Sequence, residues 1–289
     1  MRSKTFSRIL LATDGSDQAT AAVGVTKAFA HASGATVRVV HVWNLEVHHR
    51  HGVWDVEMRS EAERLINRTV KNLRAAGVDA DGEIVRADSS HVAAALTAEA
   101  KHFEADLVVV GSRGLSEWQS MIQHSTSHQL LSSVDCPLLI VRSTTPSPIH
   151  DAQRVLLAVA GGDDVGPAVK ATVAAAAGAG SAVMVVHVKQ AVIGFQGYAY
   201  VEPESEIRST MATAMSLLKE AGISAQTMVA HAGPVAQTVA ELAANWNADV
   251  IVLGSSRIGD LGSLVLGSVT HELLRTTLRP VLIAERIRP

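Results

Sequence analysis

The sequence repeats itself, and the repeat is the size of a domain. Arg8-Ile-Leu-Leu-Ala-Thr-Asp-Gly-Ser16 returns as Arg154-Val-Leu-Leu-Ala-Val-Ala-Gly-Gly162. Ala35-Thr-Val-Arg-Val-Val-His-Val42 returns as Ser181-Ala-Val-Met-Val-Val-His-Val188. Ala105-Asp-Leu-Val-Val-Val-Gly-Ser112 returns as Ala248-Asp-Val-Ile-Val-Leu-Gly-Ser255, and Cys136-Pro-Leu-Leu-Ile-Val141 as Arg279-Pro-Val-Leu-Ile-Ala284. The offset is 146 at the front of the unit (8 to 154) and 143 at the back (105 to 248), so the first copy is slightly longer in its middle. A period this long excludes a solenoid, whose repeats run to about 20–50 residues. The chain of 289 residues is therefore a tandem duplication of one domain. The polar, proline-containing stretch Ser143-Thr-Thr-Pro-Ser-Pro-Ile-His150 reads as the connector. The expected organisation is a first domain over 1–143, a linker over 144–153 and a second domain over 154–289.

Within each copy, short apolar runs alternate with longer amphipathic ones. In the first copy 9–12, 37–42, 83–87, 107–110 and 138–141 read as five strands. The first, fourth and fifth have few polar interruptions, as strands covered on both faces require. Segments 18–32, 57–76, 91–103 and 126–133 carry apolar residues at helical spacing, and Gly34 and Gly77 follow the first two as stop signals. Alternating strands and helices imply right-handed crossovers and a parallel sheet. The fold class is α/β: two tandem, doubly wound domains, each with a five-stranded parallel sheet.

Composition bounds the function. Lys and Arg number 25 against 28 Asp and Glu, a net charge of −3, which gives no whole-chain signal for nucleic acid or an anionic membrane. A single cysteine, Cys136, excludes an internal disulfide framework and a cysteine-based zinc site. Its place before Pro137, at the entry to a buried strand, suits an inert thiol. The first ten residues lack the apolar run of a signal peptide. The longest uncharged stretch, 171–186, is shorter than the roughly 20 residues of a spanning helix and reads as a helix, a turn and a buried strand. A soluble cytoplasmic protein is the expectation.

Ligands of open parallel sheets sit beyond the carboxyl ends of the strands. After the first strand comes Asp14-Gly15-Ser16. Asp14 can accept from a ribose hydroxyl or an adenine amino group, or it can cap the following helix. Its counterpart in the second copy is Ala160, where that contact is missing. After the fourth strand the copies read Gly111-Ser-Arg-Gly-Leu-Ser-Glu-Trp-Gln-Ser-Met-Ile-Gln-His-Ser-Thr126 and Gly254-Ser-Ser-Arg-Ile-Gly-Asp-Leu-Gly-Ser-Leu-Val-Leu-Gly-Ser-Val269. A glycine at a strand exit lets backbone approach a ligand closely. A serine opening the last helix offers a hydroxyl beside unpaired N–H groups, where a phosphate is well placed. An ordinary glycine turn and helix cap would use the same residues.

End to end, both copies resemble the universal stress protein family in its tandem form. The family's nucleotide-binding pattern is Gly, two residues, Gly, nine residues, Gly, then Ser or Thr. The first copy has Gly111, Gly114 and Ser125, with His124 at the third glycine. The second has Gly254, Gly267 and Ser268, with Arg257 at the second glycine. The resemblance implies a strand order of 3-2-1-4-5 and ATP, with or without Mg2+, as ligand. It places the adenine by Ala12, Thr13, Asp14 and Val42, and by Ala158, Val159 and Val188 in the second copy. It places the triphosphate by Gly111, Ser112, Arg113, Gly114, Ser125 and Thr126, and by Gly254, Ser255, Ser256, Arg257, Gly259, Gly267, Ser268, Val269 and Thr270. It further implies a stress-response regulator rather than an efficient enzyme, with slow ATP hydrolysis left open. Pairing through the last strands is implied too, as a homodimer or between the two domains of one chain. The departures cut both ways. His124 and Arg257 each put a Cβ where backbone should approach phosphate, yet each can also donate to it. Glu117 and Asp260 would repel a triphosphate unless a cation intervened. The alternative reading is a nucleotide-free scaffold of the same fold that works through partner contacts.

Other clusters read as structural. His48-His-Arg-His51 falls in a surface loop, and His124 with His128 lacks the glutamate of a zinc hydrolase motif. Residues 160–164 read as an Asp-rich turn capping a helix. Trp43 and Trp118 stand where a base could stack or where they merely cover the sheet end. Residues 194–200, with both tyrosines, read as a loop.

Overall fold

Strand β1 (Arg8–Ala12) begins the first unit with Ile9, Leu10 and Leu11, none of which reaches solvent. Such a run has no polar face to offer, so it must lie inside a sheet covered on both sides. The computed structural model describes residues 5–48, 52–55, 58–112, 126–142, 154–161, 164–178, 180–189, 191–194, 197–200, 202–231, 233–254 and 268–284. The chain divides into two compact units, Phe6–Ile149 and His150–Pro289 with Met1–Thr5.

In the first unit β1 lies between β2 (Thr36–His48) and β5 (Leu107–Ser112), pairing Ile9 with Val37 on one side and with Leu107 on the other. Strand β4 (Ala80–Asp88) pairs β2, and β6 (Leu138–Arg142) pairs β5. All four pairings are parallel, which gives the order β4-β2-β1-β5-β6. In the second unit β7 (Arg154–Ala158) lies between β8 (Ala182–Lys189) and β12 (Val250–Leu253), flanked by β11 (Ala225–His231) and β13 (Val281–Ile283). Both units therefore have the expected 3-2-1-4-5 order.

The helices follow their sequence signals. Helix α1 (Asp17–Ser33) is capped by Ser16, whose Oγ accepts from Ala19 N at 3.2 Å. It stops at Gly34, whose φ of 71° closes the last turn with an N–H bond to Ala30 O. Helix α2 (Arg59–Ala75) buries Ala62, Ile66, Val70 and Leu73, one stripe at three- and four-residue spacing. Helices α3 (Val92–His102) and α4 (Thr126–Ser133) complete the first unit. In the second unit α5 (Gly166–Ala175) is alanine-rich and buried almost all round, whereas α6 (Glu204–Glu220) buries one stripe, Ile207, Thr210, Met211, Ala214 and Leu218. Helices α7 (Val235–Asn245) and α8 (Ser268–Thr276) follow.

Two segments differ from the sequence expectation. Residues 194–200 are not a plain loop: Gly194 ends β9 (Ala191–Gly194), which pairs with β10 (Gly197–Tyr200) in an antiparallel hairpin. The β-branched pair Val192-Ile193 and the alternation of Tyr198 and Tyr200 with Gly197 and Ala199 are the strand signals that the glycine spacing masked. Likewise β2 extends to His48 and folds back on β3 (Gly52–Asp55), so His48 ends a strand. Residues 49–51 of the histidine cluster lie outside the described residues.

At the amino end of the first sheet, Arg38 binds Asp81 through two bonds of 2.9 and 2.7 Å and Glu99 at 3.1 Å. Its guanidinium also lies 4.5 Å from the Phe103 ring centre, and hydrogen bonding to Asp81 raises its pKa further above the usual arginine value. Arg38→Met would strand Glu99, whose side chain is only 12% exposed. We expect a loss of about 2 kcal/mol in chemical denaturation, less than a fully buried pair because Asp81 is partly solvated. A loss below about 0.5 kcal/mol, the scale of a neutral surface change, would show that the network contributes nothing.

Candidate functional site at the strand exits

Because β1 neighbours β5, their carboxyl ends open side by side. Thr13 continues the ladder one residue past β1, its N–H donating to Val40 O at 2.9 Å. His41, buried in β2, donates from Nδ1 to Thr13 O at 2.8 Å. A carbonyl can only accept, so this bond fixes the hydrogen on Nδ1. The chain then turns at Gly15, with a φ of 78°.

Asp14 is not the helix cap. Ser16 takes that role, and Asp14 Oδ1 accepts from Ser16 N at 3.0 Å and from Ser16 Oγ at 2.5 Å. One carboxylate oxygen is thus committed to shaping the turn. The side chain stays exposed, which leaves the second oxygen available to a ligand donor.

Gly111 joins this turn to the fourth strand of the domain. A Cβ placed there would stand 2.6 Å from Gln18 C and 2.8 Å from Ala19 N. The first turn of α1 therefore lies directly on the exit of β5. That contact sets Asp14, Ser16, Gly111 and the buried Ser112 around one sheet end. Val42 is buried near the end of the same region of β2, and Thr126 opens α4. Trp43 carries Arg86 over its ring at 5.1 Å, so one of its faces already has a cation stacked on it.

The second unit builds the same end differently. Val159 N donates to Val186 O at 2.9 Å, and His187 Nδ1 donates to Val159 O at 3.0 Å, matching Thr13 and His41. Ala158 ends β7, Val188 lies in β8, Gly254 follows β12, and Ser268, Val269 and Thr270 open α8. Helix α5 starts three residues later than its counterpart (Asp17 maps to 163, and the helix begins at Gly166). Gly254 is consequently uncrowded, with Ala168 Cβ at 3.9 Å from a Cβ built there.

Ala160 removes the acid at the β7 exit, but another element returns one. Glu202, just ahead of α6, lies with Oε2 only 3.1 Å from a Cβ built on Gly161. The same oxygen is 3.0 Å from Nε2 of His187, a residue whose side chain is 2% exposed. Neither atom has an aligned hydrogen-bond partner, so two buried polar atoms stand close without a hydrogen bond between them. Sequence reading did not single out His41, His187 or Glu202. A histidine inside an otherwise apolar strand, at the same place in both copies, was the available signal for the first two. Glu202 repeats Glu57 just ahead of the equivalent helix, a signal the reading passed over.

Arg113, Gly114, Ser125, Ser255, Ser256, Arg257, Gly259 and Gly267 lie outside the described residues, as do His124, Glu117, Trp118 and Asp260. Among the described residues no group of three or more His, Cys, Asp or Glu side chains is placed to hold a metal ion, and no helix is long and apolar enough to cross a membrane.

With this geometry in view, the similarity to known proteins is informative. The model of the universal stress protein family matches residues 5–142 and again residues 152–285. A protein described as universal stress protein in QAH/OAS sulfhydrylase 3'region, from Thermus aquaticus, is 32% identical over 138 residues, which cover 47% of this chain and 99% of that protein. Universal stress protein YxiE of Bacillus subtilis (strain 168) is 26% identical over 150 residues, again 47% of this chain and 99% of that one. The crystal structure of a universal stress protein from Archaeoglobus fulgidus DSM 4304 superposes with a TM-score of 0.74 at 19% identity, over 97% of this chain and 98% of that one. The first two match one repeat; the third shares the fold over both.

Proposed function

The chain belongs to the universal stress protein family, and from that premise we propose that it binds ATP or a related adenine nucleotide and acts as a nucleotide-responsive stress regulator. The observation that carries this reading is the packing of α1 on Gly111, which sets the Asp14 turn beside the β5 exit. An exposed carboxylate oxygen, a glycine backbone and a buried serine at one sheet end suit a nucleoside with its phosphates. Asp14 would accept from the ribose, and the Gly111 loop and the start of α4 would meet the phosphates. Any Mg2+ would arrive with the triphosphate, whose oxygens are its preferred ligands. We assign no catalytic group.

The first unit is the better candidate for the nucleoside. In the second, the carboxylate of Glu202 stands over Gly161 beside His187, where it would oppose an incoming phosphate chain. That feature, with a glycine replaced in each copy, favours the second reading of a nucleotide-free scaffold.

Calorimetric titration with Mg-ATP separates the two. We expect saturable binding, weakened about tenfold or more by Asp14→Ala, as befits the loss of one charge-assisted hydrogen bond. Protein purified without nucleotide, releasing none on denaturation and giving no saturable heat with Mg-ATP, would leave the scaffold reading in its place.

A further inference from the structure

A groove runs along the outer edge of the second unit, between α6 and the edge strand β11, far in sequence from the glycine loops. Its cavity measures about 390 Å³, within the range of small-molecule sites. Ile207, Met211, Met215 and Val229 give it an apolar floor, and Val229 is 38% exposed. One end is ionic: Lys189, Arg208 and His231 gather around Glu204.

The first unit shows why the groove exists. Thr227 pairs Val185, and Gly82 pairs Val39. Val39 and Val185 are equivalent in the repeat, so Thr227 is the counterpart of Gly82. A Cβ on Gly82 would stand 2.3 Å from Ile66 Cγ2 and 3.1 Å from Val70 Cγ2. In the first unit the side chains of α2 thus press down on the strand and fill the space. Thr227 carries the Cβ that forbids this, and with Met211 and Met215 it lines a cavity instead.

The ionic end already holds one carboxylate. Lys189 Nζ lies 3.2 Å from Glu204 Oε1. The Glu204 carboxyl is held below the usual range, first by the hydrogen bond from Lys189 and then by the charges of Lys189, Arg208 and His231. Glu204 is the one acid among the described lining residues, so cationic groups outnumber it. The apolar floor beside them includes two methionines, whose flexible thioethers adapt to varied tails.

We propose that this groove is a second ligand site, one that takes a small amphipathic carboxylate: the head group beside Arg208 and Lys189, the alkyl tail over Met211, Met215 and Val229. The site shares no residue with the nucleotide candidates, although Lys189 and His231 end β8 and β11 beside them.

Octanoate and 1-octanol are the probes, titrated into the full chain with and without saturating Mg-ATP. Octanoate should bind at one site per chain, about tenfold more tightly than octanol, because only the carboxylate meets the cations. Arg208→Glu, at an exposed position, should weaken octanoate by about tenfold while leaving octanol unchanged. Ala212→Leu, which fills the exposed rim of the groove, should abolish both without lowering the melting temperature. Equal affinity for acid and alcohol, octanoate binding that survives both variants, or competition by Mg-ATP would each overturn the proposal.

Discussion

Gly111→Ala is expected to lower stability by about 3 kcal/mol, at the upper end of overpacking substitutions, whereas Gly254→Ala should change it by less than about 0.5 kcal/mol. The two glycines occupy the same place in the repeat and in the family's nucleotide pattern. Their surroundings differ. At Gly111 the added methyl meets backbone atoms of Gln18 and Ala19 at 2.6–2.8 Å, and backbone has no rotamer to move into. Helix α1 would have to lift from β5. At Gly254 the nearest atom is a methyl at 3.9 Å, an ordinary contact. Thermal unfolding reads the difference as a drop of roughly 10 °C for the first variant and almost none for the second, if the units melt separately. The contrast also separates two reasons for having a glycine. If Gly254→Ala is stable yet changes Mg-ATP titration, its glycine serves a ligand. If Gly111→Ala melts like the parent, α1 does not rest on β5 as described.

Gly111 and Gly254 illustrate what a sequence can and cannot carry. The strands that precede them, Leu107–Val110 and Val250–Leu253, are legible because burial on both faces leaves only apolar residues, and the repeat doubles the signal. The alternation of strands and helices implies a parallel sheet with right-handed crossovers, and the family resemblance implies the strand order. The difference between the two glycines is not local. It arises because α1 starts at Asp17 whereas α5 starts at Gly166, three residues late in the repeat frame, so backbone of one helix presses on the neighbouring strand whereas the other meets it with the Ala168 methyl. Asp14 shows the same limit on a smaller scale. Its sequence context suits a cap or a ligand contact, and only the geometry gives the cap to Ser16 and the turn to Asp14. The edge groove is the clearest case. Thr227 looks like an ordinary strand residue, and its consequence appears only when set against Gly82 and the helix above it.

His187→Leu is expected to cost about 3 kcal/mol, and adding Glu202→Leu should recover part of it, giving a coupling of about 1–3 kcal/mol in a double-mutant cycle. Two losses combine in the single variant. The Nδ1 bond to Val159 O disappears at a site that water does not reach, and Glu202 keeps a buried oxygen against an apolar side chain. The second loss vanishes when Glu202 is also made apolar, which is why the double variant should be the more stable of the two. Glu202 is 31% exposed, so solvent absorbs part of its charge and the coupling stays below that of a fully buried pair. The cycle is read by urea denaturation at fixed pH. Strict additivity would mean that the 3.0 Å approach carries no energy, and that Glu202 lies over Gly161 for packing alone. A measured coupling would tie the segment ahead of α6 to the exit of β7 through one polar contact. The first unit reaches the same place with Leu65 of α2, whose Cδ1 lies 3.2 Å from a Cβ built on Gly15. After duplication, then, one copy closes this end with an aliphatic contact and keeps its acid on the turn. The other surrenders that acid to Ala160 and brings a carboxylate in from the segment ahead of α6, where His187 can meet it.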